Sequence, residues 1–299
     1  MQSVEIIGIL AHPYRPESIP VARQIAEQTR SRGVKVWLEE TWNEEIELQQ
    51  QIKGSHLLLA IGGDGAMLHA ARLCAPFSVP VLGVNIGYLG FLTETSPEAW
   101  ENCLDLILKG QYWIETRLMI TGEIWHEGNC IAREDALNDV VVSRGAVAKS
   151  VHLEAYIDGA WATNYNADGL VIATATGSTA YALATGGPIL PPELDNILMI
   201  PVAPHLSMER PVVLSQGVTV RIVVSPRTQT ETVVTVDGRS TARLVPGDVV
   251  LVRASENRSL FLRLQERNYF FRSLMDRMEP RFSPRHPDEN EGTLLDEQQ

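Results

Sequence analysis

A chain of 299 residues is long enough for two domains or one large one, and 44% apolar with 21% charged residues is the balance of a globular protein. No apolar run approaches the roughly 18–20 residues a helix needs to span a bilayer, and the opening "MQSVEIIGIL" carries Glu5 with no basic region, which argues against a signal peptide. A formal charge of −12 argues against a general nucleic-acid binder, because phosphate backbones reward a basic surface.

The first third alternates strand and helix. "VEIIGIL" (4–10) reads as a strand. Residues 18–32 place Ile19, Ala22, Ile25, Ala26 and Thr29 at helical spacing behind a Ser18 cap. "VKVWLEE" (34–40) is the next strand, "NEEIELQQQIKG" (43–54) a helix, and "HLLLAI" (56–61) a third strand. After a glycine turn, "AMLHAARL" reads as a helix and "VPVLGVN" (79–85) as a fourth strand. Helix 96–110 follows, with Ser96 as cap and Pro97 in its first turn. Strand–helix alternation implies parallel pairing, so residues 1–111 predict a doubly wound α/β domain.

From about residue 112 the pattern becomes mainly β. Short runs rich in Val, Ile, Thr and Tyr begin with "YWIETRLMITGEIW" and end with "SLFLRLQ", and Asp-Gly at 158–159 and 237–238 marks hairpin turns. Residues 112–266 thus predict a β-sandwich-like domain. "NYFFRSLMDRM" predicts a helix within 267–279 that returns to the α/β domain. The polar, acidic stretch 280–299 predicts a disordered tail. Cys74, Cys103 and Cys130 form no CxxC pair, and read as buried apolar residues of a reduced, cytoplasmic protein.

In open α/β sheets, ligands bind beyond the carboxyl ends of the strands. Two glycine-rich loops follow such strands: "GGDG" (62–65) and "NIGYLGF" (85–91). Neither fits the Walker A or the GxGxxG pattern. Asp64 in the first loop has a bland reading as a helix N-cap. Three glycines around it point elsewhere, since one would serve a cap. A carboxylate pressed against a phosphate would repel it, whereas it suits a hydroxyl about to become a nucleophile. Phosphoryl transfer needs such a residue, and Asp64 also has the chemistry to hold the Mg2+ that travels with ATP.

A second cluster lies in "NYNADGLVIATATGSTAYALATGGPIL" (164–190). Its run "TATGSTAY" (174–181) combines small residues with hydroxyls that suit ribose, phosphate or amide groups, or forms a plain Ser/Thr-rich loop. Asp168 and the adjacent Asn138 and Asp139 of "LNDVVVSR" add side chains suited to a ribose diol, although Asn-Asp equally marks a turn.

These motifs, in order, resemble the NAD kinase family: "GGDG" at 62–65, "NIGYLGFL" at 85–92, "LNDVVV" at 137–142, "ADGLVIATATGSTAYALATGGPIL" at 167–190, "APHLSMERPVVL" at 203–214 and "VDGR" at 236–239. "GGDG" alone is shared with lipid kinases and phosphofructokinases; the TGSTAY segment is far more specific. The resemblance implies phosphorylation of the 2′-hydroxyl on the adenosine ribose of NAD to give NADP. ATP, or inorganic polyphosphate, would be the donor, with a divalent metal such as Mg2+. It implies Asp64 as catalytic aspartate and Gly65 as its partner in binding NAD. Asn138 and Asp139 would hold the adenosine ribose, and Asp168 would reach the nicotinamide end, sometimes from a neighbouring subunit. Thr176 and the segment Thr179, Ala180, Tyr181, Ala182, Leu183 and Ala184 would wrap the adenine and ribose. His69 and Lys149 match basic or polar ligand contacts, with a helix-surface His and a solvated Lys as the bland readings. Arg239 stands where the family commonly has Gln and receives no role. The family's homodimers or homotetramers are the expected assembly, with small-molecule partners and neither nucleic acid nor membrane. Rival readings are a lipid kinase, which the acidic charge disfavours; a non-catalytic NAD-sensing module, which would lack Asp64; and a Rossmann dehydrogenase, which would carry GxGxxG after its first strand.

Overall fold

The computed structural model describes residues 4–42, 46–87, 90–147 and 149–278; the tail expected at 280–299 lies outside them. The N-terminal elements are β1 (Ile6–Ala11), α1 (Ser18–Ser31), β2 (Lys35–Glu39), α2 (Ile46–Lys53), β3 (Leu57–Gly62), α3 (Asp64–Cys74), β4 (Val81–Asn85) and α4 (Trp100–Leu108). Their strands pair in parallel in the order β2-β1-β3-β4. β3 is buried on both faces, so it reads as a continuous apolar run. Leu57, Leu59 and Ile61 face α1 and α4 through Ala22, Ile25, Trp100 and Leu104. Leu58 and Ala60 face α2 and α3 through Ile52, Ala66, Met67 and Ala70. Helices therefore cover both sides of the sheet, and the α/β part is doubly wound.

The cap expectations need correction. Ser18 is the first helical residue, and its hydroxyl donates to the His12 carbonyl at 2.8 Å instead of capping α1. Ser96 precedes a 3-10 turn at Pro97–Ala99 and makes no side-chain cap there.

The remaining strands are β5 (Trp113–His126), β6 (Asn129–Ala136), β7 (Asp139–Arg144), β8 (Val151–Ile157), β9 (Ala160–Ala167) and β10 (Gly169–Thr174). After the four-residue helix α5 (Tyr181–Ala184) come β11 (Asn196–Val202), β12 (Val212–Ser215), β13 (Val220–Val224), β14 (Thr232–Val236), β15 (Arg239–Leu244) and β16 (Val249–Arg263). Both Asp-Gly pairs form the expected hairpins: Asp158 and Gly159 have φ of 49° and 81°, Asp237 and Gly238 47° and 75°. β6 and β11 are absent from the sequence reading. The first, "NCIAREDA", is too polar to advertise a strand, and the second, "NILMIPV", lies behind the turn residues "PPELD". "GDVVLVRAS" (247–255) and "SLFLRLQ" (259–265), each of which reads as a strand of its own, join in β16 across an irregularity between Ala254 and Arg258.

Two sheets result. β16 pairs in parallel with β4 at Phe261–Val81, so the α/β sheet continues into a 10-stranded sheet. A six-stranded sheet in the order β12-β11-β10-β7-β14-β15 packs against its antiparallel part. Ile120, Ile222 and Val250 of the larger sheet meet Val140, Val142, Ile172 and Val234 of the smaller one in a single apolar layer. This is the expected sandwich. These elements belong to one compact unit ending at Gln265. Beyond it, the helix α6 (Tyr269–Met278) forms where the spacing predicts one, and Arg272 within it pairs with Glu266 at 3.0 Å.

Candidate active site

Neighbouring strand β1 leads on to β2 at one side, and β3 leads on to β4 at the other, so the chain reverses direction across the sheet between β1 and β3. That is the place where the carboxyl ends of an open parallel sheet leave a crevice. "GGDG" is the loop at the end of β3. Gly63 occupies the N-cap position of α3 with no side-chain cap, and Asp64 is the first helical residue. The N-cap reading of Asp64 therefore fails. Its carboxylate reaches the second glycine loop instead: Oδ2 accepts the N–H of Phe91 at 2.8 Å and Oδ1 that of Leu92 at 2.9 Å. Glycine at 90 is required by this approach, because a Cβ there would lie 1.9 Å from Asp64 Oδ1. The two loops are thus tied together at the catalytic candidate.

A row of rings lines the same crevice. His12, just past β1, lies against Trp42 with centroids 4.4 Å apart, and Trp42 stacks on His69 of α3 at 4.3 Å. Burial, and then the nearby Arg15 cation, push the His12 pKa down, which favours its neutral form. Trp42 holds φ of 56°, a left-handed conformation unusual for so large a residue. A cavity of about 470 Å3 opens beside these rings, lined by Trp42, Gly65, His69, Arg72, Asp237 and Arg239.

Asp237 connects this cavity to the β-rich half. Its carboxylate gathers three successive backbone N–H groups: Leu137 at 2.9 Å, Asn138 at 2.7 Å and Asp139 at 3.2 Å. The loop carrying Asn138 and Asp139 is in this way pinned to the turn that faces α3. On its other side, the Asn138 carbonyl accepts the Thr174 N–H at 2.9 Å. Gly177 packs so closely there that a Cβ would sit 2.1 Å from the same carbonyl oxygen. The Thr174 hydroxyl accepts the Gly177 N–H at 3.0 Å and donates to the Leu137 carbonyl. Asp139 is buried, and burial with the Asp237 carboxylate pushes its pKa up to about 7. Burial also raises that of Asp237, against the three N–H donors.

The family model described as the ATP-NAD kinase N-terminal domain matches residues 7–112, and that of the ATP-NAD kinase C-terminal domain matches residues 137–264. The NAD kinase of Chloroflexus aggregans is 36% identical over 276 residues, covering 92% of this chain and 99% of the relative. The chain belongs to the NAD kinase family. The NAD kinase of Heliobacterium modesticaldum is 38% identical, covering 91% and 98%. Yeast NADH kinase complexed with NADH shares the fold at a TM-score of 0.82, with 23% identity over 99% of this chain and 91% of that one. An NAD kinase from Archaeoglobus fulgidus in complex with ATP does so at 0.72, with 24% identity over 91% and 97%.

Within this NAD kinase family member, the residues expected at the site fall into two groups. Gly65 and His69 line the cavity, and Asn138 and Asp139 are held by its Asp237. Thr176 and Thr179 lie in the 3-10 turn Thr176–Thr179, which follows β10, and Tyr181 is exposed at the start of α5. Ala180 and Leu183 are partly buried, and Ala184 is exposed. Ala182 buries its methyl with Val141, Val171 and Leu198 on the outer face of the smaller sheet. Asp168 stands apart, before the first residue of β10, where it pairs with Arg144 at 3.0 Å. Lys149 is exposed in the loop after β7, toward that same end. Arg239 lines the cavity and pairs with Glu134 at 2.6 Å, so it is not simply solvated.

Sequence reasoning misses the role of Asp237, which lies in the matching "VDGR" run but is read there only as a hairpin turn. It also misses His12 and Trp42, whose partners are distant in the chain. The one available signal was position: "AHPYRPES" follows a parallel strand at the edge of the crevice.

Proposed function

We propose that the chain transfers the terminal phosphoryl group of ATP to the 2′-hydroxyl of the adenosine ribose of NAD, giving NADP. The observation that carries this is one cavity lined both by Gly65 and His69 beside Asp64 and by Asp237, which holds the Asn138–Asp139 loop. Relatives named NAD kinase, matched over nearly their whole length, support the same reading.

Asp64 is the hydroxyl's proton acceptor. A carboxylate offers about four acceptor positions, and the Phe91 and Leu92 N–H groups take two while fixing its orientation. Asn138 and Asp139 receive the ribose, and Thr176 with residues 179–184 faces the adenosine. Gly65 lets the start of α3 come close to phosphate, where N–H groups with no intrahelical partner favour an anion. Among the described residues no three acidic, histidine or cysteine side chains gather around a point. That suits Mg2+ arriving on ATP, since this ion keeps several waters and takes one or two protein carboxylates. Asp64 would hold it, and the bound ion supplies neutralisation of the transferring phosphoryl charge.

Asp168 supports a homodimer or homotetramer. Six residues of extended β10 separate it from the turn at Thr176, roughly 20 Å, so it serves NAD from a second copy. Cys74 and Cys103 are buried as expected and Cys130 is exposed against expectation; all three are free thiols, which fits a reducing, cytoplasmic setting. The test is a coupled assay for NADP with NAD, Mg2+ and either ATP or inorganic polyphosphate, on protein whose mass is measured by sedimentation. NADP from one or both donors, made by a multiple of the 33.1 kDa chain, is expected. NAD bound but never phosphorylated would favour a sensing module, and a monomer at full activity would remove Asp168 from the site.

A further inference from the structure

Two arginines and two glutamates are buried together beside the pairing of β5 and β16. Arg263 and Glu94 are each 1% exposed, Glu115 5% and Arg117 3%. They form one continuous chain. Arg263 Nη1 donates to Glu94 Oε2 at 2.8 Å and to the Leu92 carbonyl at 3.2 Å, and Arg263 Nε donates to Glu115 Oε2 at 2.9 Å. Arg117 Nε donates to the same Glu115 oxygen at 3.0 Å, and its Nη1 to the Thr176 hydroxyl at 3.3 Å. Both guanidinium groups lie over the Phe261 ring, at 4.5 and 5.1 Å. Glu94 Oε1 accepts the Leu264 and Gln265 N–H groups, which anchors that end to the backbone.

Charges taken out of water are costly, and a packed apolar cluster often replaces a buried ion pair with no loss of stability. Stability alone therefore does not explain this chain; its ends do. One end holds Leu92, whose N–H binds Asp64 Oδ1. The other holds Thr176, whose carbonyl accepts the Thr179 hydroxyl at 3.2 Å. We infer that Arg263 and Arg117 are positioning residues: Arg263 sets the loop that orients Asp64, Arg117 sets the turn that receives the adenosine of NAD, and Glu115 keeps the two in register. This rests on the NAD kinase reading above. Arginine is required because its planar fork reaches two acceptors at once, which a lysine point charge does not.

The test is steady-state kinetics on Arg117→Lys and Arg263→Lys, which keep the buried charge balanced, with thermal melts alongside. Arg117→Lys is expected to raise KM for NAD about tenfold with kcat within about threefold. Arg263→Lys is expected to lower kcat about tenfold with KM for NAD within about threefold. This crossing of effects is the signature, because a merely structural role moves both parameters together as the melting temperature falls. Should a lysine variant fail to fold, the charge-neutral pairs Glu115→Gln with Arg117→Met, and Glu94→Gln with Arg263→Met, carry the same two expectations. Parallel changes in kcat and KM, or wild-type kinetics in folded variants, would overturn the inference. Wild-type protein that makes no NADP would overturn the kinase reading itself.

Discussion

Asp64 shows how little a residue's type says about its partner. In the sequence it reads as a helix cap, yet it is the first helical residue and its carboxylate binds two N–H groups 27 and 28 residues away. Sequence raises suspicion through the surrounding glycines, and only the fold supplies the reason: Gly90 makes room for Asp64. Asp139 carries a second consequence. Its folded pKa of about 7 lies above its ordinary 3.8, through burial and then the Asp237 carboxylate. Between those values the folded state binds more protons than the unfolded one, so stability falls as pH rises from about 4 through about 7. The raised Asp237 works in the same direction. Asp139→Asn removes the Asp139 part. Its melting temperature relative to wild type is expected to be higher at pH 8 than at pH 5, and a difference independent of pH would contradict the buried acid.

Among elements, those with a strong local period were legible and those built by distant pairing were not. The all-apolar β3 and the alanine-rich α3 follow from pattern alone. β6 hides because half of its residues are polar and do not alternate with the apolar ones, and β16 appears broken because its irregularity interrupts the alternation. The turn Thr176–Thr179 announces itself by composition, but its docking on the Asn138 carbonyl does not. Gly177→Ala tests that docking. A methyl placed 2.1 Å from a backbone oxygen must push β7 and the turn apart, at about 1–3 kcal/mol. Denaturant unfolding should show that loss, and calorimetry should show weaker NAD binding. Unchanged stability and affinity would separate the turn from the site.

Across the molecule, the α/β sheet does not end at its domain but runs through β4 and β16 into the sandwich. Asp64 stands in one half and Asp237, Asn138 and Thr176 in the other, so the site depends on that continuity. Composition and motif order identified both halves and the reaction they suit. The ring row of His12, Trp42 and His69, the grip of Asp237 and the buried arginines were hidden, since each joins segments remote in sequence. The measurement that bears most directly on the account compares Asp64→Asn with wild type in NADP formation and in NAD affinity. Turnover is predicted to vanish while affinity stays within about tenfold, or ~1.4 kcal/mol. Turnover retained near the wild-type rate, or binding and fold lost together, would show that Asp64 holds a loop and does no chemistry.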